Sequence, residues 1–428
     1  MIQEFKIKNY LSFRDEAVLS FETTNDKAIE EPYVVEVAPG VKLLRFGLVY
    51  GSNASGKSNL ISALDFIRVF WFKKKEDIDE ETDTIPFLLD TDTPDEPSEF
   101  ELTFYVGETK YRYNLSLTEN VVSHESLYYY KTTQPIRLFT RKINNRQSEI
   151  DFGPSVKISK AVKDEIAVKC FPNMSFFAAR NQVNCSLPEI DNARDWMRKG
   201  IMPVIEPKIE MFRYAGNKMS TDSSLKNYIL KFIHRADFNI TDVQTEKKQI
   251  TLSSDEIEAI NSNDNIPISA KKRLMDKGFL ESIKTDFETT VTNKRGVEKY
   301  ILPKSLQSAG TTRTFGLEAA IYEALNNGRF LPIDEIESSL HPELLEFILE
   351  EFLNTPGRSQ LFATTHYDPL LNTIDTLIRK DSVWFTEKEP DGNSRLYSLV
   401  EFKELGKINS FQRSYRNGAF GALPIIKG

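Results

Sequence analysis

Cysteine is nearly absent from this chain, which has two among 428 residues, Cys170 and Cys185. They are not spaced as Cys-x-x-Cys, so a disulfide framework is not expected. The two thiols are typical of buried or incidental cysteines in a reducing compartment. We therefore expect a cytoplasmic protein.

Long apolar runs and an excess of basic residues are also missing. No stretch of 18 apolar residues occurs, and the amino-terminal segment MIQEFKIKNY contains no signal-peptide core, so neither export nor membrane insertion is expected. The formal net charge is −8, which disfavours a broadly basic nucleic-acid surface but leaves a local basic groove open. With 40% hydrophobic and 28% charged residues, the composition is that of a globular protein.

The acidity is concentrated in one segment. Glu76–Glu101 contains twelve carboxylates and neither lysine nor arginine. Such a run is usually a solvated acidic loop. A docking site for a basic partner protein is the alternative interpretation.

A glycine-rich motif, G-x-x-x-x-G-K-S, follows the apolar run Leu43–Tyr50 and precedes a helical pattern over Asn59–Phe72. A loop in this position turns its backbone N–H groups toward phosphate oxygens, and the following helix adds its positive end. Lys57 is expected to reach the β- and γ-phosphates, and the Ser58 hydroxyl to bind Mg²⁺. The motif predicts a nucleoside triphosphate site formed by Gly51, Ser52, Asn53, Ala54, Ser55, Gly56, Lys57, Ser58 and Asn59.

The periodicity of the remaining chain separates a strand-rich part from a helix-rich part. Leu43–Tyr50 is predicted as one buried central strand, and Phe100–Val106 with Lys110–Leu117 as a hairpin. From about Lys157 to Leu280 the pattern is largely helical. The predicted elements there are helices over Lys160–Cys170, Ala193–Lys199, Ser224–Arg235 and Ala270–Lys284, with one strand over Ile240–Gln244.

A second half of the nucleotide site is predicted near residue 334. Asn327–Ile333 is an apolar strand that ends in Asp334 and Glu335, which is a Walker B pattern. An aspartate at this strand end supports Mg²⁺ beside the P-loop. The next residue, Glu335, is placed to act as the general base for the attacking water.

Two further elements flank the Walker B strand. Gln360–Thr365 is a predicted strand that ends on His366, which is expected to sense the γ-phosphate or to position the water. Ser308, Ala309, Gly310 and Thr311 precede a predicted helix over Thr314–Asn326, and a Ser-x-Gly-Thr sequence at a helix start can bind an anion.

With these motifs in this order, the chain resembles ABC-type ATPases of the SMC/RecF-like branch. More closely, it resembles the stand-alone ATPases of bacterial abortive-infection and antiphage systems, such as RloA, AbiLi and the AriA subunit of PARIS. The matching residues are Ile7–Phe13, Tyr50–Ser58, Ser308–Thr311, Ile333–Pro342, Ala363–His366 and Tyr415–Pro424.

The resemblance implies an α/β fold: an ABC-type P-loop ATPase with a mixed central sheet, a flanking antiparallel sheet and a mostly helical insertion. Residues 1–156 are expected to form lobe I with the P-loop, and residues 157–285 the insertion. Residues 286–428 are expected to form lobe II with the signature, Walker B, the switch histidine and the tail.

The resemblance also implies that two copies sandwich two ATP molecules. Ser308, Ala309, Gly310 and Thr311 would be the signature motif that completes the partner's site. Ser338, Ser339 and Leu340 would be the D-loop that crosses the interface. ATP and Mg²⁺ are the implied cofactors, with Ser58 and Asp334 as metal-supporting residues and Glu335, His366 and Lys57 as catalytic residues.

Two departures from the family pattern affect the expected activity. The signature is Ser-Ala-Gly-Thr, where transporters have Ser-Gly-Gly-Gln. No glutamine lies between Ser58 and Gln134, where a Q-loop would be expected, so hydrolysis is expected to be slow. About 250 residues separate the P-loop from the signature, too few for a long coiled coil.

The function predicted from these features is an ATP-hydrolysing sensor or scaffold subunit of an antiphage system, forming a homodimer or higher homo-oligomer. No nuclease domain fits after His366, so the effector, a nuclease or toxin, is expected to be a separate chain. The alternatives are a RecF-like DNA-repair ATPase that binds duplex DNA, and a nucleotide-gated assembly module with little turnover. The tail, Tyr415–Pro424, either packs on its own lobe, or its Arg416 or Gly418–Gly421 segment contacts the active site or a neighbouring subunit.

Overall fold

The computed structural model describes residues 1–26, 28–31, 33–236, 239–251, 253–262, 271 and 279–424. The chain divides into two compact units. The first comprises Met1–Pro207, Glu323–Ser338 and Ile348–Gly428, and the second comprises Lys208–Tyr322 and Ser339–Phe347. The domain boundaries expected near residues 156 and 285 remain predictions. No helix in the described part of the chain is long and apolar enough to span a bilayer.

The strands, numbered in chain order, have the following bounds: β1 Ile2–Lys8, β2 Ala17–Ser20, β3 Val34–Ala38, β4 Val41–Leu44, β5 Phe46–Gly51, β6 Ser98–Val106, β7 Thr109–Leu117, β8 Val122–Tyr130, β9 Pro135–Asn144, β10 Gln147–Phe152, β11 Ile240–Thr251, β12 Phe279–Asn293, β13 Gly296–Pro303, β14 Phe330–Ile333, β15 Gln360–Thr365, β16 Val383–Lys388 and β17 Ser394–Ser398.

The α-helices have these bounds: α1 Lys57–Phe70, α2 Lys160–Lys169, α3 Phe176–Arg180, α4 Pro188–Gly200, α5 Phe212–Met219, α6 Ser223–Arg235, α7 Ser254–Ser262, α8 Ala309–Asn327, α9 Pro342–Asn354 and α10 Phe411–Arg416. A 3-10 segment covers Asp368–Thr373.

The first unit contains an antiparallel sheet of seven strands in the order β10-β9-β8-β7-β6-β1-β2. The predicted hairpin is confirmed as β6 and β7, whose last pair is Val106 with Thr109. β7 alternates buried and more exposed residues, because one face of the sheet packs on the core, whereas β6 is buried on both faces over residues 102–105.

A mixed sheet of five strands, in the order β14-β15-β5-β16-β17, is the second layer of the first unit. β14, β15, β5 and β16 run parallel, and β17 is antiparallel to β16. The carboxyl ends of parallel strands meet at one sheet edge, so the residues that follow β5, β14 and β15 are gathered there. These are the P-loop, Asp334 with Glu335, and His366.

Helix α1 joins the two sheets through one hydrophobic core. Its apolar positions, among them Leu60, Leu64 and Ile67, are fully buried. The same core contains Phe104 of the seven-stranded sheet and Val49 of the central strand. The helix that begins in the P-loop is therefore held rigidly from both sides.

The prediction of one strand over Leu43–Tyr50 is wrong, because Arg45 divides the run. β4 pairs with β3 in a separate two-stranded sheet, whereas β5 belongs to the mixed sheet. Arg45 is fully buried, and its guanidinium donates to the carbonyl oxygens of Ser359, Leu353 and Phe352 at 3.1–3.3 Å. The last two lie at the end of α9, where helix carbonyls lack intrahelical partners.

A buried ion pair fastens the segment around α3 to the seven-stranded sheet. Arg141 Nη1 lies 3.0 Å from Glu125 Oε2, and both side chains are completely buried. The Glu125 carboxylate also accepts from the hydroxyls of Tyr113 and Ser175 and from the backbone N–H of Phe176. Every oxygen of this buried charge is thus hydrogen-bonded, as its burial requires.

The acidic segment is attached to the first unit at Asn9, a buried residue. Its side-chain amide donates to the carbonyl oxygens of Thr93 and Glu96 and accepts from the N–H of Phe87. The part of the segment that precedes β6 is therefore a loop held in place by hydrogen bonds. The docking hypothesis for it remains a prediction.

The second unit is built on the antiparallel sheet β11-β12-β13. Phe287 of β12, Phe212 of α5 and Phe315 of α8 form an aromatic cluster with ring centroids 4.9–6.0 Å apart. The predicted helix over Ala270–Lys284 is wrong over 279–284, which belong to β12. Its residues 270 and 272–278 lie outside the described part of the chain. β12 pairs along its length with β11, and this long-range pairing overrides a local helical pattern.

Candidate functional site

The P-loop connects β5 to α1, and its lysine forms hydrogen bonds with the backbone of the same loop. Lys57 Nζ donates to the carbonyl oxygens of Gly51 and Ser52 at 2.8 and 3.0 Å. An ammonium group has three hydrogens, so one remains for a phosphate oxygen. The Ser55 hydroxyl lies 2.7 Å from that of Thr386 on β16, which fixes the loop to the neighbouring strand.

Gly56 lies where the loop becomes helix and has a φ of 113°. A Cβ at this position would lie 2.5 Å from Ser394 Oγ and 3.0 Å from Ser12 Oγ. The same serine hydroxyl, Ser12 Oγ, accepts from the Asn59 amide at 2.7 Å. Glycine is required both by the backbone angle and by this close approach.

Burial lowers the pKa of Lys57 from its ordinary 10.5 to about 8, although the carboxylates of Asp334, Glu335 and Glu337 act in the opposite direction. The lysine is 5% exposed. These three acidic groups are therefore close enough to influence Lys57 electrostatically. A bound phosphate would raise the pKa of Lys57, because its negative charge would lie next to the ammonium group.

Thr364, the penultimate residue of β15, organises the Walker B turn. Its hydroxyl donates to Asp334 Oδ1 and accepts from the backbone N–H of Glu335 at 2.9 Å. Glu335 has a φ of 47°, which is uncommon for a residue other than glycine. Its carboxylate oxygen lies 3.7 Å from Nε2 of His366. A hydrogen-bonded turn therefore holds the predicted base in a strained conformation beside the histidine.

Glu337 fixes the position of His366 from the other side. Its carboxylate accepts from the Thr365 hydroxyl at 2.8 Å and from the backbone N–H of His366 at 2.6 Å. The His366 side chain is 36% exposed and is thus open to a ligand. Glu337 is a positioning residue that follows the predicted base by two positions.

The residues predicted to bind the metal fit a magnesium ion shared with phosphates. Ser58 is exposed at the start of α1, and Asp334 is half-buried at the end of β14. No cluster of three or more metal-ligating His, Cys, Asp or Glu side chains occurs in the described ranges. One hydroxyl and one carboxylate are the small protein contribution that Mg²⁺ takes when phosphates supply other oxygens.

In the second unit, the predicted signature lies at the start of α8. Ser308 Oγ accepts from the backbone N–H of Thr311 at 3.0 Å, which is an N-cap, and both Ser308 and Ala309 are exposed. A Cβ on Gly310 would lie 2.9 Å from the carbonyl oxygen of Ser339. The signature and this part of the predicted D-loop therefore contact each other within one unit.

The predicted site residues thus fall into two groups. The first unit contains Gly51–Asn59, Asp334, Glu335, Ser338 and His366, and Ser338 donates its backbone N–H to the Glu335 carbonyl at 2.9 Å. The second unit contains Ser308–Thr311, Ser339 and Leu340. Sequence reasoning missed four residues: Thr364, Glu337, Thr386 and Ser394. Glu337 and Thr364 lie in the matched segments Ile333–Pro342 and Ala363–His366, whereas Thr386 and Ser394 lie in none.

A family described as "AAA domain, putative AbiEii toxin, Type IV TA system" matches residues 48–167 and 213–372. These ranges include the P-loop helix, the signature, the Walker B turn and His366, and together exceed half of the chain. The chain belongs to this AAA-domain family. No curated protein matches this chain.

Among solved structures, the AAA domain is similar to the SMC head domain from Thermotoga maritima, with 14% identity and a TM-score of 0.40 over 93% of this chain and 98% of that one. It is also similar to an SmcHead bound to the C-winged helix domain of ScpA, with 11% identity and a TM-score of 0.42, covering 94% and 99% of the two chains. A third is the Pyrococcus furiosus Smc head domain bound to the C-terminal domain of ScpA, with 11% identity and a TM-score of 0.41, covering 94% and 97%.

Proposed function

We propose that this AAA domain binds and slowly hydrolyses ATP as the sensor or scaffold subunit of a bacterial antiphage system. Two copies would sandwich the nucleotide, and the nucleotide state would gate a separate effector, a nuclease or toxin. The observation that carries the proposal is the approach of Lys57, Asp334, Glu335 and His366 at one sheet edge.

The chemistry follows from the roles of these groups. Lys57 would bind a β- or γ-phosphate oxygen with its remaining N–H. Mg²⁺, held through Ser58 and Asp334, would neutralise charge on the same phosphates. The Glu335 carboxylate accepts a proton from a water as the water oxygen bonds to the γ-phosphorus and the bond to the β,γ-bridging oxygen breaks. His366 contacts the γ-phosphate or orders the water.

A homodimeric, composite site is supported by the surface position of the signature. Ser308 and Ala309 are exposed at the amino end of a long helix, where N–H groups and the helix dipole favour an anion. In the proposed dimer this helix end would face the γ-phosphate bound by the partner's P-loop. ATP would then hold the two copies together, and hydrolysis would release or reset them.

The defence role is supported by the family description, which names a "putative AbiEii toxin" of a "Type IV TA system". The decisive experiment compares wild type, Lys57→Ala and Glu335→Gln in a phage-challenge assay, with ATP hydrolysis measured on the purified proteins. We expect both variants to lose protection, because one loses binding and the other loses turnover. The surface variant Glu343→Gln on α9 is the matched control.

The other predicted functions give different outcomes. If Glu335→Gln protects normally whereas Lys57→Ala does not, the protein is a nucleotide-gated module. If duplex DNA stimulates hydrolysis with a steep salt dependence and no effector copurifies, it is a DNA-repair ATPase.

A further inference from the structure

The carboxy-terminal segment 410–422 packs within the first unit, across strands that lead into the site. Ser410 caps α10 by accepting from the N–H of Arg413 at 3.2 Å. The Tyr415 ring lies 5.8 Å from that of Tyr50 on β5 and 5.7 Å from that of Phe385 on β16. The tail therefore packs on its own lobe, and its contact with the active site or a neighbouring subunit stays a prediction.

The carboxy-terminal segment also forms hydrogen bonds with the residues that follow His366. Arg416 Nη2 donates to Asp368 Oδ1 at 3.0 Å, and Arg416 Nε donates to the other carboxylate oxygen. Gln412 Nε2 reaches Asp368 Oδ1 at 3.4 Å, and its own amide oxygen accepts from Asn372 at 2.7 Å. Asp368 is two residues from His366. The two hydrogen bonds from Arg416, here called the arginine fork, therefore bind the same short segment that carries the histidine.

The carboxy-terminal segment contacts two parts of the nucleotide site, the segment after His366 and the strand that leads into the P-loop. Glu337 holds the backbone of His366 from the Walker B side, and Asp368 holds the following turn from the side of the tail. Tyr50, the residue before the P-loop, is 1% exposed, and its hydroxyl has no hydrogen-bond partner in the described structure. Its position is therefore set by packing, in which Tyr415 takes part.

We propose that Arg416 and Asp368 are positioning residues for the hydrolysis step. Their fork sets the orientation of the segment that carries His366, while Tyr415 of the same helix supports Tyr50 beneath the P-loop. The inference rests on the ATP hydrolysis proposed above. It assigns to the carboxy-terminal segment a role in catalytic geometry beyond completing the core.

The solvent exposure of the Arg416–Asp368 ion pair distinguishes a role in positioning His366 from a role in stabilising the fold. The Arg416 side chain is 61% exposed and that of Asp368 is 18% exposed. The arginine end of the pair is therefore open to solvent, and ion pairs at the surface contribute little to folding. Displacement of a catalytic group by about 1 Å, in contrast, can lower a rate by about a hundredfold. Loss of the fork should therefore affect turnover far more than stability.

The test compares Arg416→Gln, Arg416→Lys and Arg413→Gln in the full chain. Arg413 is an exposed arginine on the same helix and makes no ion pair with any described residue, so its variant is the matched control. We measure the dissociation constant of ATP, the rate of ATP hydrolysis in single turnover with protein in excess, and the unfolding temperature.

We expect Arg416→Gln to hydrolyse ATP about tenfold more slowly, as when an orienting contact is lost, with ATP affinity and unfolding temperature unchanged. Arg416→Lys retains the charge and should recover part of the rate. Arg413→Gln should match wild type. A wild-type rate in Arg416→Gln overturns the inference, as does a parallel loss of rate and unfolding temperature.

Failure of the underlying function is a separate result. It would appear as a wild-type protein that does not hydrolyse ATP, or as a Glu335→Gln variant that hydrolyses ATP at the wild-type rate. Either outcome removes the basis of the inference and counts against it. A wild-type rate in Arg416→Gln alone leaves the proposed ATPase intact.

Discussion

His366 Nε2 lies 3.7 Å from a carboxylate oxygen of Glu335. This distance is longer than a hydrogen bond, so the carboxylate keeps an acceptor site for water. The two side chains come from turns that follow different strands, β14 and β15. Their separation predicts distinct roles, with Glu335 accepting the proton and His366 contacting phosphate or water.

Single-turnover hydrolysis can separate the two roles. We expect Glu335→Gln to slow the step by about 10²–10⁴-fold, as for a lost general base, with ATP binding retained. His366→Gln retains a polar side chain and should slow the step less. If Glu335→Gln hydrolyses ATP at the wild-type rate, Glu335 is not the base.

Thr364→Val should lower both turnover and the response to Mg²⁺. The substitution is nearly isosteric but removes the hydroxyl that binds Asp334 and the Glu335 N–H. We expect a loss of about 10–100-fold in rate or metal affinity, as for other lost orienting contacts. A magnesium titration of hydrolysis measures it. Thr364→Ser keeps the hydroxyl and should be close to wild type, and equal defects in both variants would argue against the role of the hydroxyl.

ATP affinity should weaken as the pH rises above 8. The pKa of Lys57 is lowered to about 8 by burial, and phosphate binding requires the protonated amine. Affinity should therefore fall by about tenfold per pH unit above that value. The effect on folding has the opposite sign: because the folded-state pKa is below 10.5, the destabilisation by the buried charge is relieved as the pH rises from 8 to 10.5, and the nucleotide-free fold becomes more stable.

Titration calorimetry from pH 7 to 9.5 measures the affinity, with Lys57→Arg as the control. Arginine stays charged throughout this range, so its affinity, although weaker, should change little with pH. A wild-type profile as flat as that of the arginine variant would contradict the assignment.

Mixing two inactive variants tests the composite site. Lys57→Ala lacks a working P-loop, and Ser308→Arg should block the signature by bulk and charge. A mixed dimer has one site with both halves intact, so random exchange should restore about one quarter of wild-type activity. If each chain forms its site alone, the mixture stays inactive at every ratio.

Removal of the buried carboxylate at Glu125 should destabilise the first unit without touching the site. Glu125→Ala leaves Arg141 charged and buried, which typically costs about 3–5 kcal/mol. Urea unfolding measures this free energy. Glu165→Ala, which breaks an exposed pair with Lys169, should change stability by about 0–1 kcal/mol. Similar losses in both variants would contradict the distinction.

The sequence predicted the parts of the site that local patterns encode. A glycine-rich loop between strand and helix, and carboxylates at a strand end, follow from short segments such as Gly51–Ser58. Thr364 could not be found in this way, since its contact with Asp334 spans thirty residues and a single threonine has no pattern. The strand over 279–284 was missed for the same reason, because its pairing with β11 is long-range.

The buried guanidinium of Arg45 constrains the length of the chain as well as its composition. Arg45 is the single residue between β4 and β5, and its guanidinium donates to three backbone carbonyl oxygens. Side chains along a strand alternate between faces, so deletion of one residue here would turn every side chain of β5 to the opposite face. The number of residues between the two sheets thus determines which face each side chain of β5 occupies. We expect this junction to tolerate substitutions but no insertion or deletion.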